Sequence, residues 1–473
     1  MKQLRIRFRL VSLILFALFV VLAVYGVFSI NTYGSRWFTF EHNPRISQQK
    51  KHVAAGNIYD RNGVLLATTV DGQRVYQENL ADRLSVVHLL SSSKGVENFQ
   101  AGHLYGFNTP LTELVAGMAT GRTRTGDSVT LTIDSQLSTA ILQAYAAHDL
   151  TLGKNGAAVV MNYKTGEVLA EVSLPGFDPA QARTGIIDSN LYINRATHGL
   201  YPPGSTFKIL TTAAALESLP GVTERSFTCI GGLDVDGQVI HDFGIASHNT
   251  LSLRNAFSKS CNITYAMLAL DMGDAALRQT AENFGFNGDF LFRDVVVEDS
   301  IYPTQPRSNF EIAMSGFGQS TISVTPMHMC MVAAAIANDG LMMEPVLLSA
   351  VHSPSGALRE RYSSSPYRRA LSAENAAILQ EYMRNVVSSG TGTRARVSGL
   401  TICGKTGSAE SSRNGRDVTH GWFVGYCANE ELPYAVAILV EDIEDGQGGG
   451  STAAPIAAAI FTYLRDHAEN TQH

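Results

Sequence analysis

Two prolines and a glycine interrupt the chain at Tyr201-Pro202-Pro203-Gly204, directly before an apolar stretch of helical composition. Proline lacks a backbone donor and glycine tolerates unusual backbone angles, so regular structure cannot continue through this point. The residues that follow, Ser205 to Glu217, predict a buried helix with Ser205 in its first turn. The rest of the fold must therefore accommodate a tight turn that leads into a buried helix.

Lys208 lies one helical turn after Ser205 and should share its face of the helix. Burial disfavours the charged form of a lysine and lowers its pKa, so that Lys208 could accept the proton of the Ser205 hydroxyl. The free N–H groups and the dipole at the helix start could stabilise an oxyanion. This pair predicts a serine nucleophile with a lysine base. The alternative is a serine cap beside a surface lysine.

The N-terminus combines basic residues with a long apolar run. Residues 1–9 contain one lysine and three arginines, and the 21 residues of Leu10–Ile30 carry no charge. A helix of this length spans roughly 31 Å, which is enough to cross a bilayer. No cleavage site of small residues follows closely, so we expect an uncleaved anchor rather than a signal peptide. The basic residues predict a cytoplasmic tail at 1–9, with the chain after Ile30 on the other side of the membrane.

Composition narrows the function classes. Hydrophobic residues make up 45% and charged residues 16% of the 473 residues, which allows a large core. The net charge of −6 gives no indication of nucleic-acid binding. The five cysteines show no CxxC spacing and the histidines form no HExxH, so we expect neither a disulfide framework nor a metal site. A serine–lysine mechanism needs no organic cofactor.

The order of predicted elements indicates an α+β fold. Residues 31–150 form a small N-terminal domain of mixed structure, with a hairpin around Asn62-Gly63. Residues 151–473 have strands at both ends and helices between, which predicts one antiparallel sheet flanked by helices. The expected helices are 134–148, 251–273, 325–339, 372–388 and 453–466, and the expected late strands are 400–405, 422–428 and 434–440.

Three short stretches suit acyl transfer together. Ser260 offers a hydroxyl that could pass a proton to a leaving nitrogen, and Asn262 offers an amide for a substrate carbonyl. Lys405 and Thr406 could receive a carboxylate, and Gly407 would leave room for substrate along a strand. The backbone N–H groups of Ser205 and Ser408 could form an oxyanion hole. The candidate catalytic residues are Ser205, Lys208, Ser260 and Lys405, and the candidate substrate-binding residues are Asn262, Thr406, Gly407 and Ser408.

These motifs resemble those of class B penicillin-binding proteins, which are membrane-anchored peptidoglycan D,D-transpeptidases. The resemblance covers nearly the whole chain, and its N-terminal unit is similar to that of the smaller members. One departure is Ala55, where the family commonly has arginine. Further matching stretches are Gly56–Gly63, Asn194–Ala196, Gly316–Gln319, Thr325–Met327, Gly390–Gly392 and His420–Gly425.

The resemblance implies a fold, a substrate and a partner. The fold is the penicillin-binding or serine β-lactamase-like transpeptidase domain, and the reaction cross-links peptidoglycan stem peptides through a serine acyl-enzyme that β-lactams block. The implied partner is a polytopic glycosyltransferase of the shape, elongation, division and sporulation group. The implied location is the bacterial cell membrane, with a single pass and an extracytoplasmic catalytic domain.

Other functions fit some of the same residues. A class A β-lactamase needs a Glu-x-x-Leu-Asn stretch after Ser260, and none follows. A D,D-carboxypeptidase would use water as the acceptor with the same motifs. A non-enzymatic β-lactam sensor would be acylated but would need an effector, and only about nine residues lie on the cytoplasmic side. The carboxypeptidase and the sensor are kept as alternatives.

Overall fold

A five-stranded antiparallel sheet forms the centre of the catalytic region. Its strands lie in the order Ile402–Arg413, Arg416–Cys427, Tyr434–Ile443, Gly156–Asn162 and Val168–Leu174. The three late strands thus pair with the two early ones, and the expected sheet built from both ends of the region is confirmed. The structure is a computed structural model that describes residues 2–33, 44–49, 51–91, 94–107, 109, 124–179, 189–242, 247–305, 307–413 and 415–468.

Both faces of this central sheet are buried. Along Tyr434–Ile443, Ala435 and Ala437 join one hydrophobic core, whereas Val436 and Ile438 join the other. Since successive side chains point to opposite faces, a strand covered on both sides has a nearly continuous apolar sequence. The helix Pro326–Ala337 contributes to the first core, and the helices Ser135–Ala147 and Ala453–Asp466 contribute to the second.

Most of the expected helices are present at nearly the predicted bounds. Asp134 caps the helix that follows it by accepting hydrogen bonds from the backbone N–H groups of Gln136 and Leu137. The helices are Lys2–Tyr33, Pro44–Gln49, Leu80–Ser91, Val96–Phe99, Ala101–Leu104, Ser135–Ala147, Lys208–Ser218, Leu253–Lys259, Asn262–Asn283, Asn309–Ser315, Pro326–Ala337, Ala373–Ser389 and Ala453–Asp466. Single 3₁₀ turns lie at Ser189–Tyr192, Gly204–Phe207, Val222–Glu224 and Thr393–Ala395.

Two expectations about elements were wrong. The continuous helix predicted for 251–273 is two helices, because Ser260 has a φ of 60° and ends the first one. The late strands are also longer than expected, because Ile402–Arg413 and Arg416–Cys427 form a hairpin that continues beyond the sheet core into polar residues. Polar residues carried no strand signal in the sequence, but backbone pairing does not require apolar side chains.

A second sheet of six strands combines distant segments. Its order is Leu358–Arg361, Leu348–His352, Ser128–Leu131, Ile58–Tyr59, Leu65–Val70 and Gln73–Tyr76. The last three strands include the expected hairpin, in which the Asp60 carboxylate accepts hydrogen bonds from the N–H groups of Asn62 and Val64. A division of the chain at residue 150 would separate two strands of this sheet from the other four.

Short two-stranded sheets complete the described chain. The paired short strands are Val53–Ala54 with Arg124–Thr125, Ser226–Cys229 with Asn249–Ser252, Gly232–Val235 with Gln238–His241, and Leu341–Met343 with Pro366–Arg369.

The first helix contains a 24-residue stretch, Ile6–Ser29, that is long and apolar enough to cross a membrane.

Candidate active site

The proline-rich turn places Ser205 in a single 3₁₀ turn, Gly204–Phe207, that leads directly into the helix Lys208–Ser218. The prediction that Ser205 starts a buried helix is therefore correct to within one turn. The Trp422 indole donates a hydrogen bond of 3.1 Å to the Pro202 carbonyl, and the Gly204 N–H donates one of 3.0 Å to the Gly318 carbonyl. The first contact holds the turn on the central sheet, and the second holds it against the segment that follows the helix Asn309–Ser315.

Two glycines allow this turn to approach the edge strand closely. Gly204 has a φ of +52°, and a Cβ there would lie 2.7 Å from the Ser408 carbonyl oxygen. A Cβ at Gly407 would lie 3.0 Å from Thr206 Cγ2 and 3.2 Å from the Pro203 carbonyl oxygen. We expected Gly407 to leave room for substrate. In this structure its missing side chain makes room for the turn that carries Ser205.

Lys208 is fully buried at the start of its helix. Its Nζ donates hydrogen bonds to the Ser260 carbonyl at 2.6 Å, to Ser260 Oγ at 3.2 Å and to Asn262 Oδ1 at 2.8 Å. Burial lowers the pKa of Lys208 to about 7, while the negative charge of Asp242 opposes the shift. None of the three contacts joins Lys208 to Ser205, so in this state the lysine is held by the Ser260–Asn262 stretch.

Ser260 occupies a backbone conformation that suits few residues. Its φ of 60° and ψ of 39° are left-handed, which is uncommon outside glycine, asparagine and aspartate. The following residue, Cys261, caps the helix Asn262–Asn283, as its Sγ accepts a hydrogen bond from the Thr264 N–H. The turn between the two helices therefore aims both Ser260 and Asn262 at Lys208.

Lys405 approaches the same hydroxyl from the edge strand. Its Nζ donates hydrogen bonds of 2.9 Å to Ser260 Oγ and 2.9 Å to the Thr406 carbonyl. Burial, and then the nearby charge of Lys208, hold the pKa of Lys405 well below its usual range. Two lysines that share one oxygen atom repel each other when both are charged, so the pair favours one neutral member.

Thr406 and Thr391 form the polar wall beside Lys405. Their hydroxyl oxygens lie 2.6 Å apart in a hydrogen bond. Lys405 itself is fully buried beneath them. We expected Lys405 to receive a substrate carboxylate directly. In this structure the hydroxyl donors of Thr391 and Thr406 line the cavity, and the Lys405 ammonium is buried beneath them. Thr391 was recognised only as part of a glycine-containing stretch, since its role depends on pairing with a residue on another element.

These residues meet at one open cavity of about 890 Å³. Its far wall is the glycine-rich loop 444–451, which faces the edge strand of the central sheet. Lys208 and Lys405 lie beneath the cavity floor, and each donates a hydrogen bond to the hydroxyl of Ser260, which lines the cavity. The cavity thus joins six of the eight residues predicted from the sequence: Ser205, Ser260, Asn262, Thr406, Gly407 and Ser408.

Comparisons of the sequence with family models and with known proteins agree on one family. The model of the penicillin binding protein transpeptidase domain matches residues 156–462. The chain belongs to the penicillin-binding protein transpeptidase family. It is 32% identical over 451 residues to the peptidoglycan D,D-transpeptidase PbpA of Mycolicibacterium smegmatis, covering 89% of this chain and 90% of that protein. It is 33% identical to PbpA of Mycobacterium tuberculosis, covering 88% and 89%.

Solved structures agree with this placement. The penicillin G acyl-enzyme complex of penicillin-binding protein A from M. tuberculosis matches with a TM-score of 0.78 and 30% identity, covering 87% of this chain and 99% of that one. The D,D-transpeptidase domain of a peptidoglycan glycosyltransferase from Eggerthella lenta matches with a TM-score of 0.73 and 30% identity, covering 88% and 99%. The class B resemblance read from the motifs is thereby confirmed, and so is the fold.

Two buried carboxylates, Glu441 and Glu171, and their hydrogen-bond partners were not predicted from the sequence. Glu441 Oε1 accepts hydrogen bonds from Arg195 Nε at 2.7 Å and from the Tyr201 hydroxyl at 2.6 Å, which fixes the lead-in to the proline turn. Glu171 is bound by Asn194, and burial raises its pKa to about 7. These partners are 23 to 246 residues apart in sequence, so no local pattern relates them.

A third group adjoins the active site. The ligand-type atoms of Cys229, Asp242, His248 and Cys261 all lie within 4.8 Å of one another. The absence of close cysteine pairs in the sequence led us to expect no metal site. The short strands Ser226–Cys229, Gln238–His241 and Asn249–Ser252, with the start of the helix at Asn262, bring these separate residues together. The spacing argument therefore missed a group that could hold a metal ion.

Proposed function

We propose that this chain is a serine D,D-transpeptidase that cross-links the stem peptides of peptidoglycan and is acylated by β-lactam antibiotics. The relatives named above carry this activity, and one of the matching structures is a penicillin G acyl-enzyme. The observation that supports the proposal most strongly is the buried Lys208, whose pKa lies near 7, one turn from a serine that faces the cavity.

We assign the first half of the reaction as follows. Lys208 in its neutral form takes the proton of Ser205, and the Ser205 oxygen attacks the carbonyl carbon of the penultimate D-alanine. The backbone N–H groups of Ser205 and Ser408 stabilise the oxyanion. The amide C–N bond breaks, the terminal D-alanine leaves with a proton delivered through Ser260, and an ester to Ser205 remains.

The second half restores the enzyme. An amine of a neighbouring stem peptide attacks the ester carbonyl, a new amide forms, and the proton returns to Ser205. Asn262 holds the substrate amide, and the hydroxyls of Thr406 and Thr391 hold the terminal carboxylate, with Lys405 supplying positive charge from beneath. Hydrogen bonds to a charged group are each worth about 1.5–3 kcal/mol, which is enough to select substrates that end in a carboxylate.

Labelling with a fluorescent penicillin tests the acylation step. The wild-type protein and Ser218→Ala, a change at the other end of the same helix, should be labelled. Ser205→Ala should not be labelled, although its melting temperature should be unchanged. Mass spectrometry should find the adduct on the peptide that contains Ser205. An adduct on another residue would refute this assignment.

A donor peptide ending in D-Ala-D-Ala distinguishes transfer from hydrolysis. With a D-amino acid as acceptor, a transpeptidase yields the exchanged peptide, whereas a D,D-carboxypeptidase yields only the shortened one. A protein that is labelled by penicillin but neither exchanges nor shortens the donor peptide would instead be a β-lactam sensor.

We further propose that the N-terminal helix is a single-pass anchor and that the catalytic domain is extracytoplasmic. The apolar stretch Ile6–Ser29 and the basic residues at 1–9 support this orientation. In this proposal residues 31–150 form a non-catalytic unit and residues 151–473 form the transpeptidase domain, with the strands Leu348–His352 and Leu358–Arg361 of the second part completing the six-stranded sheet of the first. A protease added to intact spheroplasts should remove the catalytic domain and leave the tail protected. Protection of both would contradict the orientation.

We also propose a polytopic glycosyltransferase of the shape, elongation, division and sporulation group as the partner. A transpeptidase must reach new glycan near the membrane, and the hairpin around Asn62-Gly63 offers a surface for the extracytoplasmic loops of a partner. Exchange of Leu10–Ile30 for an unrelated membrane helix, or deletion of residues 50–70, should abolish co-purification with the partner. If both variants keep the partner and label normally with penicillin, the helix is only a tether.

A further inference from the structure

A second cavity, of about 310 Å³, adjoins the proline turn that carries Ser205. Its lining comes from the segment 193–202, which leads into that turn, and from the far end of the hairpin that begins with the edge strand Ile402–Arg413. Glu410 lines the active-site cavity, and the next residue, Ser411, lines this second one. The two cavities are therefore neighbours along the edge strand of the central sheet.

The floor of the second cavity is polar and balanced in charge. Arg195 and Glu441 are buried there as an ion pair, with Nε and Oε1 2.7 Å apart. They are the only lysine, arginine, aspartate or glutamate among the described residues that line it. Burial lowers the pKa of His198 to about 4, so this imidazole is neutral at physiological pH. The charges thus cancel, and the cavity favours an uncharged ligand.

Two buried nitrogen atoms in the lining lack a hydrogen-bond partner. Arg195 Nη1 and His198 Nε2 form no hydrogen bond within the part of the chain that the structure describes. The Arg195 residue is only 3% exposed, and a buried donor without an acceptor is costly in free energy. Because both side chains line the cavity, a ligand that brings acceptor oxygens there would remove this cost.

The rim of the cavity is partly apolar. Ile193 and Leu200 are exposed at 43% and 38%, and the serines of the hairpin end, Ser411 and Ser412, line the cavity as well. A neutral polar floor beneath hydroxyls and apolar side chains matches the surface of a sugar ring, which carries oxygen acceptors at its edge and apolar C–H groups on its faces. An amino-acid carboxylate or an ammonium group would instead meet a lining without net charge.

We propose that this cavity binds an N-acetylated sugar of the glycan strand to which the donor stem peptide is attached. The inference rests on the proposed function, which supplies the stem peptide as substrate. Ser412 lies four residues after Ser408 on the edge strand, about 13 Å along it. An extended stem peptide of about five residues spans at most roughly 16–18 Å. One substrate can therefore place its peptide end beside Ser205 and its sugar in the second cavity.

The sugar contributes binding and takes no part in bond making. Once it is held in the second cavity, the attached peptide reaches Ser205 in an intramolecular step, which raises its effective concentration. Penicillin carries no glycan, so its acylation rate does not depend on this cavity. The subsite therefore favours peptides on a glycan strand over free peptides of the same sequence.

Binding of N,N′-diacetylchitobiose, a neutral N-acetylated disaccharide, tests the site directly. Saturation-transfer NMR with the full-length protein in detergent micelles should show binding to the wild type. Ser412→Trp obstructs the cavity from its exposed rim and should weaken binding at least about tenfold, the equivalent of one or two neutral hydrogen bonds. Ser364→Trp, at an exposed serine that lines neither cavity, should bind as the wild type does.

A second variant tests the role of the guanidinium. Arg195→Lys keeps a positive charge opposite Glu441 but removes Nη1, so it should also weaken binding of the disaccharide. Its melting temperature shows whether the ion pair still supports the fold. Neither measurement uses penicillin or peptide turnover, so the sugar site is tested separately from the proposed transpeptidase activity.

Turnover measures what the subsite does for the reaction. In the wild type, a donor peptide linked to the disaccharide should react with a kcat/KM about tenfold or more above that of the free peptide. In Ser412→Trp the two substrates should react alike, at the rate of the free peptide, and fluorescent penicillin should label this variant normally. Ser364→Trp should keep the wild-type preference.

Four results would overturn the proposal. The first is no binding of the disaccharide to the wild type, and the second is equal binding to Ser412→Trp. The third is an equal kcat/KM of wild type for the linked and the free peptide. The fourth is slow penicillin labelling of Ser412→Trp, which would mean that the change disturbs the Ser205 turn. A wild type that binds the disaccharide but is not labelled by penicillin would refute the proposed function and support the sugar site.

Discussion

Buried charged groups serve different purposes in the active site and in the six-stranded sheet. Around the cavity, Lys208 and Lys405 converge on one hydroxyl, and burial lowers the pKa of both. In the sheet, the Asp60 carboxylate accepts hydrogen bonds from the N–H groups of Asn62 and Val64 and from the Ser135 hydroxyl. All three of these donors are uncharged. The first arrangement keeps a base reactive, and the second satisfies backbone donors.

Asp294 extends this comparison to the strand contributed by the second half of the chain. Its Oδ2 accepts hydrogen bonds from the N–H groups of Leu347 and Leu348, at 3.0 and 2.8 Å. The carboxyl thereby supports the strand Leu348–His352 where it joins the six-stranded sheet. We therefore expect changes at the cavity to alter acylation with little effect on stability, and changes at Asp294 to do the reverse.

The largest expected effect is at Lys208. Arginine keeps the charge but cannot deprotonate, and methionine keeps the volume but cannot accept a proton. Both Lys208→Arg and Lys208→Met should slow penicillin acylation on the order of 10²- to 10⁴-fold, the usual contribution of a general base. Stopped-flow measurement with a chromogenic β-lactam checks this, with the exposed Lys164→Arg as control.

Thermal melting sharpens the same comparison. Lys208→Met should melt within a few degrees of the wild-type temperature, because the gain from removing a buried ionisable group is offset by the loss of the hydrogen bonds to the Ser260 carbonyl and Asn262 Oδ1. An arginine variant that acylates at the wild-type rate would exclude Lys208 as the base.

The second prediction concerns Asp294→Ala. This change leaves two buried N–H groups without an acceptor, which should lower the free energy of unfolding by about 2–4 kcal/mol. Urea unfolding measures the loss, and the folded fraction should acylate normally. The exposed Asp417→Ala should change neither quantity. A large loss of acylation in folded Asp294→Ala would break the proposed separation of the two regions.

The stability supplied by Asp294 should also depend on pH. Burial raises its pKa from 3.8 to about 7, so the folded protein binds a proton that the unfolded chain has released. This contribution is fully present below about pH 4 and is lost as pH rises through 7. Asp294→Asn keeps an acceptor and cannot titrate, so its stability relative to wild type should rise between pH 5 and pH 8. A constant difference would contradict the raised pKa.

The third prediction is the pH dependence of acylation. Lys208 must be neutral to accept the Ser205 proton, and its pKa lies at about 7. The rate should therefore fall about tenfold from pH 8 to pH 6, since the neutral fraction falls by that factor. The residual rate of Lys208→Met should be flat over this range. A wild-type rate that rises as the pH falls would mean that the charged lysine is the active form.

The smallest expected effect is at Thr391. Thr391→Val removes a neutral hydrogen bond to Thr406, so acylation by penicillin should slow about threefold to tenfold. An esterified penicillin should show little difference between the two proteins, because it lacks the carboxylate. Thr462→Val removes a hydroxyl contact in the last helix and is the matched control. Equal slowing with both penicillins would place Thr391 outside the carboxylate site.

The sequence predicted much of the catalytic region because its signals are local. Proline and glycine restrict the backbone wherever they occur, so the turn before Ser205 was evident. The three late strands were found because sheet burial on both faces requires continuous apolar residues. The break at Ser260 was missed, since its left-handed backbone is imposed by neighbouring helices and not by serine itself.

By itself the sequence determined the motif residues, the apolar N-terminal helix and the fold class, because each depends on the chemistry or periodicity of adjacent residues. Tertiary structure decided which groups touch. In the tertiary structure Lys208 contacts Ser260, Lys405 lies beneath Thr406, and Cys229 lies close to Cys261. Contacts between residues far apart in the chain follow from the packing of whole elements, and their distances are not encoded in the spacing of any one motif.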